Sequence, residues 1–408
     1  MAKSQFFNLI YPVFLVEMLV AIIRIEVSVS SLFGQKIFFL KLKNGTPMKH
    51  FRRTYTLPFK YSIPNLISIH LQKVTLYNRA LKYLRRYLYI IIKGQKNLEV
   101  FELHPKHKKI LWINVSAVSL GDSLMDLSSR VLIKDREIDL FTDKKNSNLY
   151  QDDKYFSRVY SSLKEIDEAE YDLIILDSYS SRSIKIKSKV APKTNFVGIY
   201  GYFNGPEVNR ILFSFHQMNH LIGYAYSENE ITKLAKNSIS ISKKDQNIVT
   251  SITPKIYIAI ALGGEWEYKI FKKWNKIIQK ILQDNEELNI IFLGSGNAQR
   301  AGVQMLREFS NYYLLDFTSR LSFNQTAQVI KKSKIFLCCD GGLMHAAAAV
   351  EAKFIPLLAR LPAEMLLTQD ISSYKLFDKN NVNNILVDDV LSDYHEIINH
   401  LADNDIGR

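Results

Sequence analysis

From about residue 110 onward, apolar residues in this chain gather in short unbroken runs, and between the runs they recur every three or four positions. Ile110-Leu111-Trp112-Ile113-Asn114-Val115 is the first run, and others fall at 137–141, 172–176 and 196–200. Continuous apolar runs of this length read as parallel strands buried on both faces, with helices as the crossovers. Ser119-Leu120-Gly121-Asp122 predicts a turn after the first run, with a helix starting over 123–130. From 202 to about 250 the pattern loosens: Phe203-Asn204-Gly205-Pro206 predicts a loop and 228–235 a helix. A second series opens at 256–261, turns at Gly263-Gly264 and continues into a basic amphipathic helix over 271–282. Runs at 289–293, 313–316 and 334–339 alternate with helices near 299–309 and 324–332, and a last helix is expected at about 394–401. Two such series in tandem predict an α/β protein with two doubly wound, Rossmann-like lobes. Their ligand cleft would lie between them, at the carboxyl ends of both sets of strands.

The first quarter of the chain reads differently. Residues 6–23 are strongly apolar but are interrupted by Asn8, Pro12 and Glu17 and closed by Arg24. The stretch is near the length of a membrane span, yet a mid-span glutamate is costly and no cleavage site of small residues follows. The expectation is a helix lying on a membrane or packed on the protein. Residues 36–109 interleave cations with aromatics, as in Phe51-Arg52-Arg53-Thr54-Tyr55 and in 79–87 with Arg85 and Arg86. Such a stretch suits an interfacial helix on anionic lipid; a solvated basic face is the plainer alternative. Single-stranded nucleic acid is the rival partner, but no nucleic-acid fold signature accompanies these residues.

Charge sharpens this division. Of the formal +14, residues 1–109 hold 19 Lys and Arg against four acids, a net of +15, so the remaining residues carry −1. A basic segment joined to a near-neutral body points to an anionic surface. With 408 residues, 47% hydrophobic and 23% charged, the chain is globular and too long for one core. Its two cysteines are neighbours, Cys338 and Cys339, inside a predicted strand; they read as reduced, buried small hydrophobes and offer no metal site.

The chemistry concentrates where the run 334–339 gives way to Asp340-Gly341-Gly342-Leu343-Met344-His345-Ala346-Ala347-Ala348. A strand, a glycine turn and an alanine-rich helix aim backbone N–H groups at an anion, and Asp340 at the strand end can accept hydroxyl donors beside it. A sugar diphosphate has both features. An ordinary βα turn with a satisfied histidine is the competing reading. Asp122, in the first turn of the first series, faces the proposed cleft, and Asp126 stands one turn on as the fallback for any role it has there; the rival reading is a helix-capping aspartate. Lys269 is the candidate cation for a diphosphate, unless it is a surface lysine like Lys272 and Lys273. Gly263 turns the chain ahead of it. Ser295, between Gly294 and Gly296, stands at the same strand edge.

These segments resemble a known family. Residues 340–348 are similar to the Asp-[Ser/Thr]-Gly-x-x-His-x-x-Ala signature of the heptosyltransferase family (glycosyltransferase family 9-like) of GT-B glycosyltransferases. Ser119 to Leu124 looks like its Gly-Asp turn, Gly263 with Lys269 and Phe271 resembles its Gly…Lys-x-Trp stretch, and Arg320-Leu321-Ser322-Phe323 looks like its Lys/Arg-x-Ser-Leu step. The resemblance covers about residues 109–378. Two departures stand out: Gly341 replaces the usual Ser or Thr, and Leu357-Leu358-Ala359-Arg360-Leu361-Pro362 replaces a Phe-Gly-Pro-Thr ending.

The resemblance implies a GT-B enzyme without an essential metal or resident cofactor. It would move a sugar, with heptose from ADP-heptose one candidate, from a nucleotide diphosphate to a lipopolysaccharide or lipooligosaccharide core acceptor with inversion. It assigns Asp122 the base role, and Lys269, Asp340, Gly341, Gly342, Leu343, His345, Gly263 and Ser295 the donor. His345 would orient the signature loop or touch phosphate. Arg52, Arg53, Arg85 and Arg86 are expected at the acceptor or the membrane. The expected domains are a basic extension, 1–109, an acceptor lobe, 110–250, and a donor lobe, 251–408. The expected location is the cytoplasmic face of the inner membrane, as a peripheral protein. A protein-modifying relative and a catalytically silent, membrane-associated binding protein are the alternatives.

Overall fold

The computed structural model describes residues 57, 58, 61, 75–117, 119–167 and 170–406. The chain divides into two compact units, Met1–Tyr55 and Thr56–Arg408, and every described residue belongs to the second. The apolar stretch 6–23 and the cations Arg52 and Arg53 lie outside the described residues.

Two all-parallel sheets form the second unit. The first holds β1 (Lys109–Asn114), β2 (Glu137–Thr142), β3 (Arg158–Tyr160), β4 (Leu173–Ser178) and β5 (Phe196–Gly201) in the order β3-β2-β1-β4-β5. The helices of this lobe are α1 (Leu76–Ile92), α2 (Leu120–Asp126), α3 (Lys144–Tyr150), α4 (Ser181–Val190), α5 (Arg210–Leu221) and α6 (Glu228–Leu234). The second sheet holds β6 (Ile258–Ala261), β7 (Ile290–Leu293), β8 (Leu314–Asp316), β9 (Phe336–Cys339), β10 (Phe354–Ala359) and β11 (Phe377–Asp378), ordered β11-β10-β9-β6-β7-β8. Around it run α7 (Lys243–Ile252), α8 (Trp274–Asp284), α9 (Gln299–Glu308), α10 (Phe323–Lys332), α11 (Gly342–Ala349), α12 (Ala363–Leu366) and α13 (Val387–Ile406).

The strand residues explain the architecture. Ile110, Trp112, Leu140, Ile175 and Val197 in one lobe, and Ile258, Ile260, Phe292 and Leu337 in the other, are fully buried. Each such side chain stabilises the fold by roughly 1.5–3 kcal/mol, and burial on both faces is what a helix-covered parallel sheet requires. In each sheet the chain reverses direction of travel once. The switch falls between β1 and β4 in the first lobe and between β6 and β9 in the second. Crevices open at the carboxyl ends of strands at such points.

The helix α1 is packed onto the first lobe. Its aromatic face carries Tyr83, whose ring centroid lies 5.1 Å from that of Tyr202, and α1 also contacts α4. Gly94, with φ +66°, ends it in a left-handed turn, where Gln95 donates to the Ile90 carbonyl. Among the described residues no helix is long and apolar enough to cross a membrane.

Candidate active site

Asp122 enters the site through a helix start. The sequence predicts a turn at 119–122 followed by a helix from 123, whereas α2 already begins at Leu120. The reason is a capping box: Ser119 Oγ accepts from the Asp122 amide at 3.1 Å, and Asp122 Oδ2 accepts from the Ser119 amide at 3.1 Å and its hydroxyl at 3.0 Å. One carboxylate oxygen is thereby committed to the cap. The other, Oδ1, lies 3.1 Å from a guanidinium nitrogen of Arg210.

Arg210 is a residue the sequence reading missed. It opens α5, capped by Asn209, in the stretch where the hydrophobic pattern loosens, and its role depends on contacts far away in sequence. Its Nε and Nη2 donate to the two oxygens of Asp126 at 2.9 and 2.6 Å, and the Tyr200 hydroxyl donates to the same carboxylate at 2.9 Å. Burial works against the charge on Arg210, but Asp126, Tyr200 and Asp122 outweigh it and hold the guanidinium protonated well above its ordinary value. Burial and Asp126 together push the Tyr200 phenol well up. Asp126 is nearly buried with both oxygens engaged, whereas the Asp122 side chain keeps 23% of its surface open.

The second lobe contributes the loops after β6, β7 and β9. Asp340 and Lys269, at the switch point, form an ion pair at 2.5 Å. Gly263 has φ +85°, and a Cβ there would lie 3.0 Å from Asn297 Oδ1 and 3.1 Å from the Ala298 Cβ, so the loops after β6 and β7 touch only because it is glycine. Ser295 donates to Asn297 Oδ1 at 2.9 Å, and Asn297 donates to the Gly264 carbonyl at 2.7 Å. Gly341 and Gly342 begin α11, with Leu343 half-buried one residue on and no side chain capping the first turn. His345 is buried, and desolvation lowers its imidazole pKa against the opposing pull of Asp340 and Asp122. Its Nδ1 has no hydrogen-bond partner among the described residues.

The two lobes meet at these elements. A Cβ on Gly121 would lie 2.9 Å from His345 Cδ2 and 3.2 Å from the Gly342 Cα. Asp122 is the next residue, so the capped turn of one lobe and the helix start of the other are neighbours. Asn209 fastens the lobes nearby, donating to the carbonyls of Glu364 and Leu367 at 3.0 and 2.8 Å. Asn324 does the same elsewhere, donating to Leu149 and Ser240 carbonyls, each at 3.2 Å.

Arg85 and Arg86 have different surroundings. Arg85 is exposed on α1. Arg86 turns toward the end of β5, donating to the Gly201 and Phe203 carbonyls at 3.2 and 3.0 Å, and burial with help from Arg85 lowers its pKa to about 10. Among the described residues no cluster of three or more His, Cys, Asp or Glu is arranged to hold a metal.

Comparison with known proteins agrees with this architecture. Residues 202–365 match the model of glycosyltransferase family 9 (heptosyltransferase), a segment that includes Arg210, Lys269 and 340–345 and leaves Asp122 outside. A glycosyl transferase family 9 structure from Veillonella parvula DSM 2008 superposes with a TM-score of 0.59 at 11% identity, covering 73% of this chain and 99% of that one. E. coli ADP-heptose lps heptosyltransferase II gives 0.56 at 15% identity, covering 72% and 99%. E. coli heptosyltransferase WaaC with ADP gives 0.50 at 13%, covering 71% and 97%. No curated protein sequence matches the chain. The fold is that of the GT-B glycosyltransferases. Within that fold, the segment 202–365 is similar to glycosyltransferase family 9, the heptosyltransferases.

Proposed function

We propose that the chain is an inverting glycosyltransferase that takes its sugar from a nucleoside diphosphate and delivers it to a lipid-linked saccharide. The observation that carries this reading is the contact between Gly121 and His345, which sets Asp122 beside the start of α11. A proton acceptor and an anion-binding helix end then share one crevice.

In the proposed reaction the acceptor hydroxyl gives its proton to Asp122 as its oxygen bonds to the anomeric carbon. The bond from that carbon to the diphosphate breaks on the opposite face, which inverts the centre. Negative charge gathers on the departing diphosphate, where the N–H groups of α11 and the Lys269 ammonium oppose it. Arg210 supports the base by holding the Asp122 carboxylate in position, 3.1 Å from its guanidinium. Asp126 serves Arg210 and is a poor candidate for the base, because its side chain is buried whereas that of Asp122 keeps 23% of its surface open to an acceptor. ADP-heptose is a reasonable first donor to try, since similar structures are described with ADP or as acting on ADP-heptose. The basic residues before 110 and the exposed Arg85 fit an enzyme working at an anionic membrane face.

The test is transfer by the full chain from ADP-heptose and other nucleotide sugars to a lipid-linked core saccharide. Asp122→Asn should abolish most turnover while leaving nucleoside diphosphate binding intact. Turnover near the wild-type rate in that variant would remove Asp122 from the mechanism.

A further inference from the structure

Arg360 follows β10 at the same edge of the second sheet as Asp340 and Lys269. Its φ is +67°, in the left-handed region, and the Leu361 amide donates to the Ala359 carbonyl at 2.8 Å across it. A three-residue turn of this hand is rare and strained at a residue with a side chain. The neighbouring strand holds it in place, for the Arg360 amide donates to the Asp378 carbonyl at 3.1 Å. The conformation carries the guanidinium onto Tyr268, with its carbon 3.6 Å from the ring centroid. Lys269 is the next residue in the chain, and its ammonium lies 5.7 Å from the same centroid.

The two cations differ in what neutralises them. Lys269 is already paired with Asp340. Arg360 is exposed, and among the described residues it has no carboxylate partner; Asp378 spends Oδ1 on the amides of Asn380 and Asn381 and on Asn384. The end of α11 offers only about half a charge. A diphosphate arriving there carries more negative charge than a half-neutralised lysine and a helix end can match.

We infer that Arg360 binds the diphosphate of the nucleotide donor, held over Tyr268 as a preset second cation beside Lys269. On this reading the strained turn serves to aim a side chain that has a ligand. The inference rests on the donor site proposed above and adds a residue to it.

Isothermal titration of the full chain with ADP, UDP, GDP and CDP, each alongside its monophosphate, tests this. Arg360→Gln should weaken the best-bound diphosphate by about tenfold or more, with a much smaller effect on the monophosphate. Arg360→Gly should do the same; glycine takes the left-handed turn without strain, so a folding defect does not explain its loss. Equal losses for diphosphate and monophosphate, or an unchanged diphosphate affinity in both variants, would overturn the assignment. Lys269→Ala separates the two levels. If it weakens the diphosphate and the Arg360 variants do not, the donor site stands and Arg360 has no part in it. If no nucleoside diphosphate binds the wild-type chain, the donor site itself falls.

Discussion

Gly121 and His345 touch across the junction of the two lobes, with room for a hydrogen on the glycine and none for a methyl, which would sit 2.9 Å from the imidazole Cδ2. His345 cannot retreat easily, because its side chain is buried. Gly121→Ala should therefore push α2 away from α11 and cost about 1–3 kcal/mol of stability, as overpacking does. The expected signature is a lower melting temperature together with a loss of turnover larger than the stability change explains. Wild-type activity in Gly121→Ala would mean that the junction is not held at this spacing during reaction.

Asp122 and Asp126 should separate cleanly in kinetics. If Asp122 is the base, Asp122→Asn lowers kcat by about 10²–10⁴-fold with little change in melting temperature. Asp126→Asn instead strips Arg210 of its two-point partner inside the protein. Because Arg210 keeps one side toward solvent, the cost should be about 1–3 kcal/mol, below that of a fully enclosed pair. Chemical denaturation and steady-state kinetics on both variants would distinguish the roles.

Arg210→Lys tests the bridge between them. Lysine keeps the charge but cannot donate in parallel to both oxygens of Asp126 and still reach Asp122. Turnover should drop about tenfold or more, with nucleoside diphosphate affinity close to wild type, because the residue acts on the base and not on the donor.

The pH dependence of stability carries a sign set by burial. Desolvation lowers the imidazole pKa of His345, and it does the same for His107 and His216. Below the ordinary value of 6.5 the unfolded chain takes up protons that the folded chain resists, so stability is full above that pH and falls as the pH drops toward the lowered folded values. His345→Asn should remove one share of this decline, seen as a shallower fall of melting temperature between about pH 7 and 5.

Cys338 and Cys339 give a simple probe of the second core. Burial raises both thiols, Cys339 to about 12, so neither is a thiolate near neutrality. A thiol-specific reagent should find no reactive group in the folded chain and two after denaturation. Rapid reaction of either thiol before unfolding would show that β9 is not packed as described.

Much of the fold is legible in the sequence because most strands buried on both faces leave an unbroken apolar run; Phe354–Ala359 is missed, since Pro356 argues against a central strand. The runs at 110–115, 137–141, 172–176, 196–200, 256–261, 289–293, 313–316 and 334–339 each overlap an observed strand. Short edge strands are a different matter. Arg158–Tyr160 and Phe377–Asp378 hold three and two residues, too few for any period to show. Helix ends fare worse than helix existence. The expected start at 271 becomes Trp274, because Phe271 is buried in the loop before the helix, and the last helix runs over Val387–Ile406, well beyond 394–401. The segment 202–250 looks loose in the sequence yet contains α5, whose Phe213, Phe215 and Met218 are buried while its polar Ser214, His216 and Asn219 are buried too, blurring the amphipathic pattern. The site divides in the same way. Asp122, Lys269 and Asp340 stand next to glycine turns at strand ends, which local sequence reveals. Arg210 and Arg360 do not, since one matters through Asp126 and the other through a backbone twist and Tyr268.

Each group invoked for chemistry sits on a connection leaving the carboxyl edge of a strand or on the first turn of the helix that follows, while the strands beneath are built mainly of buried apolar side chains. Framework and chemistry are thus encoded by separate stretches of chain. Exchanging the connections at 263–269 and 360–362 is expected to alter the proposed donor site more than the sheets beneath it, much as a lathe changes its work with the tool bit and keeps its bed.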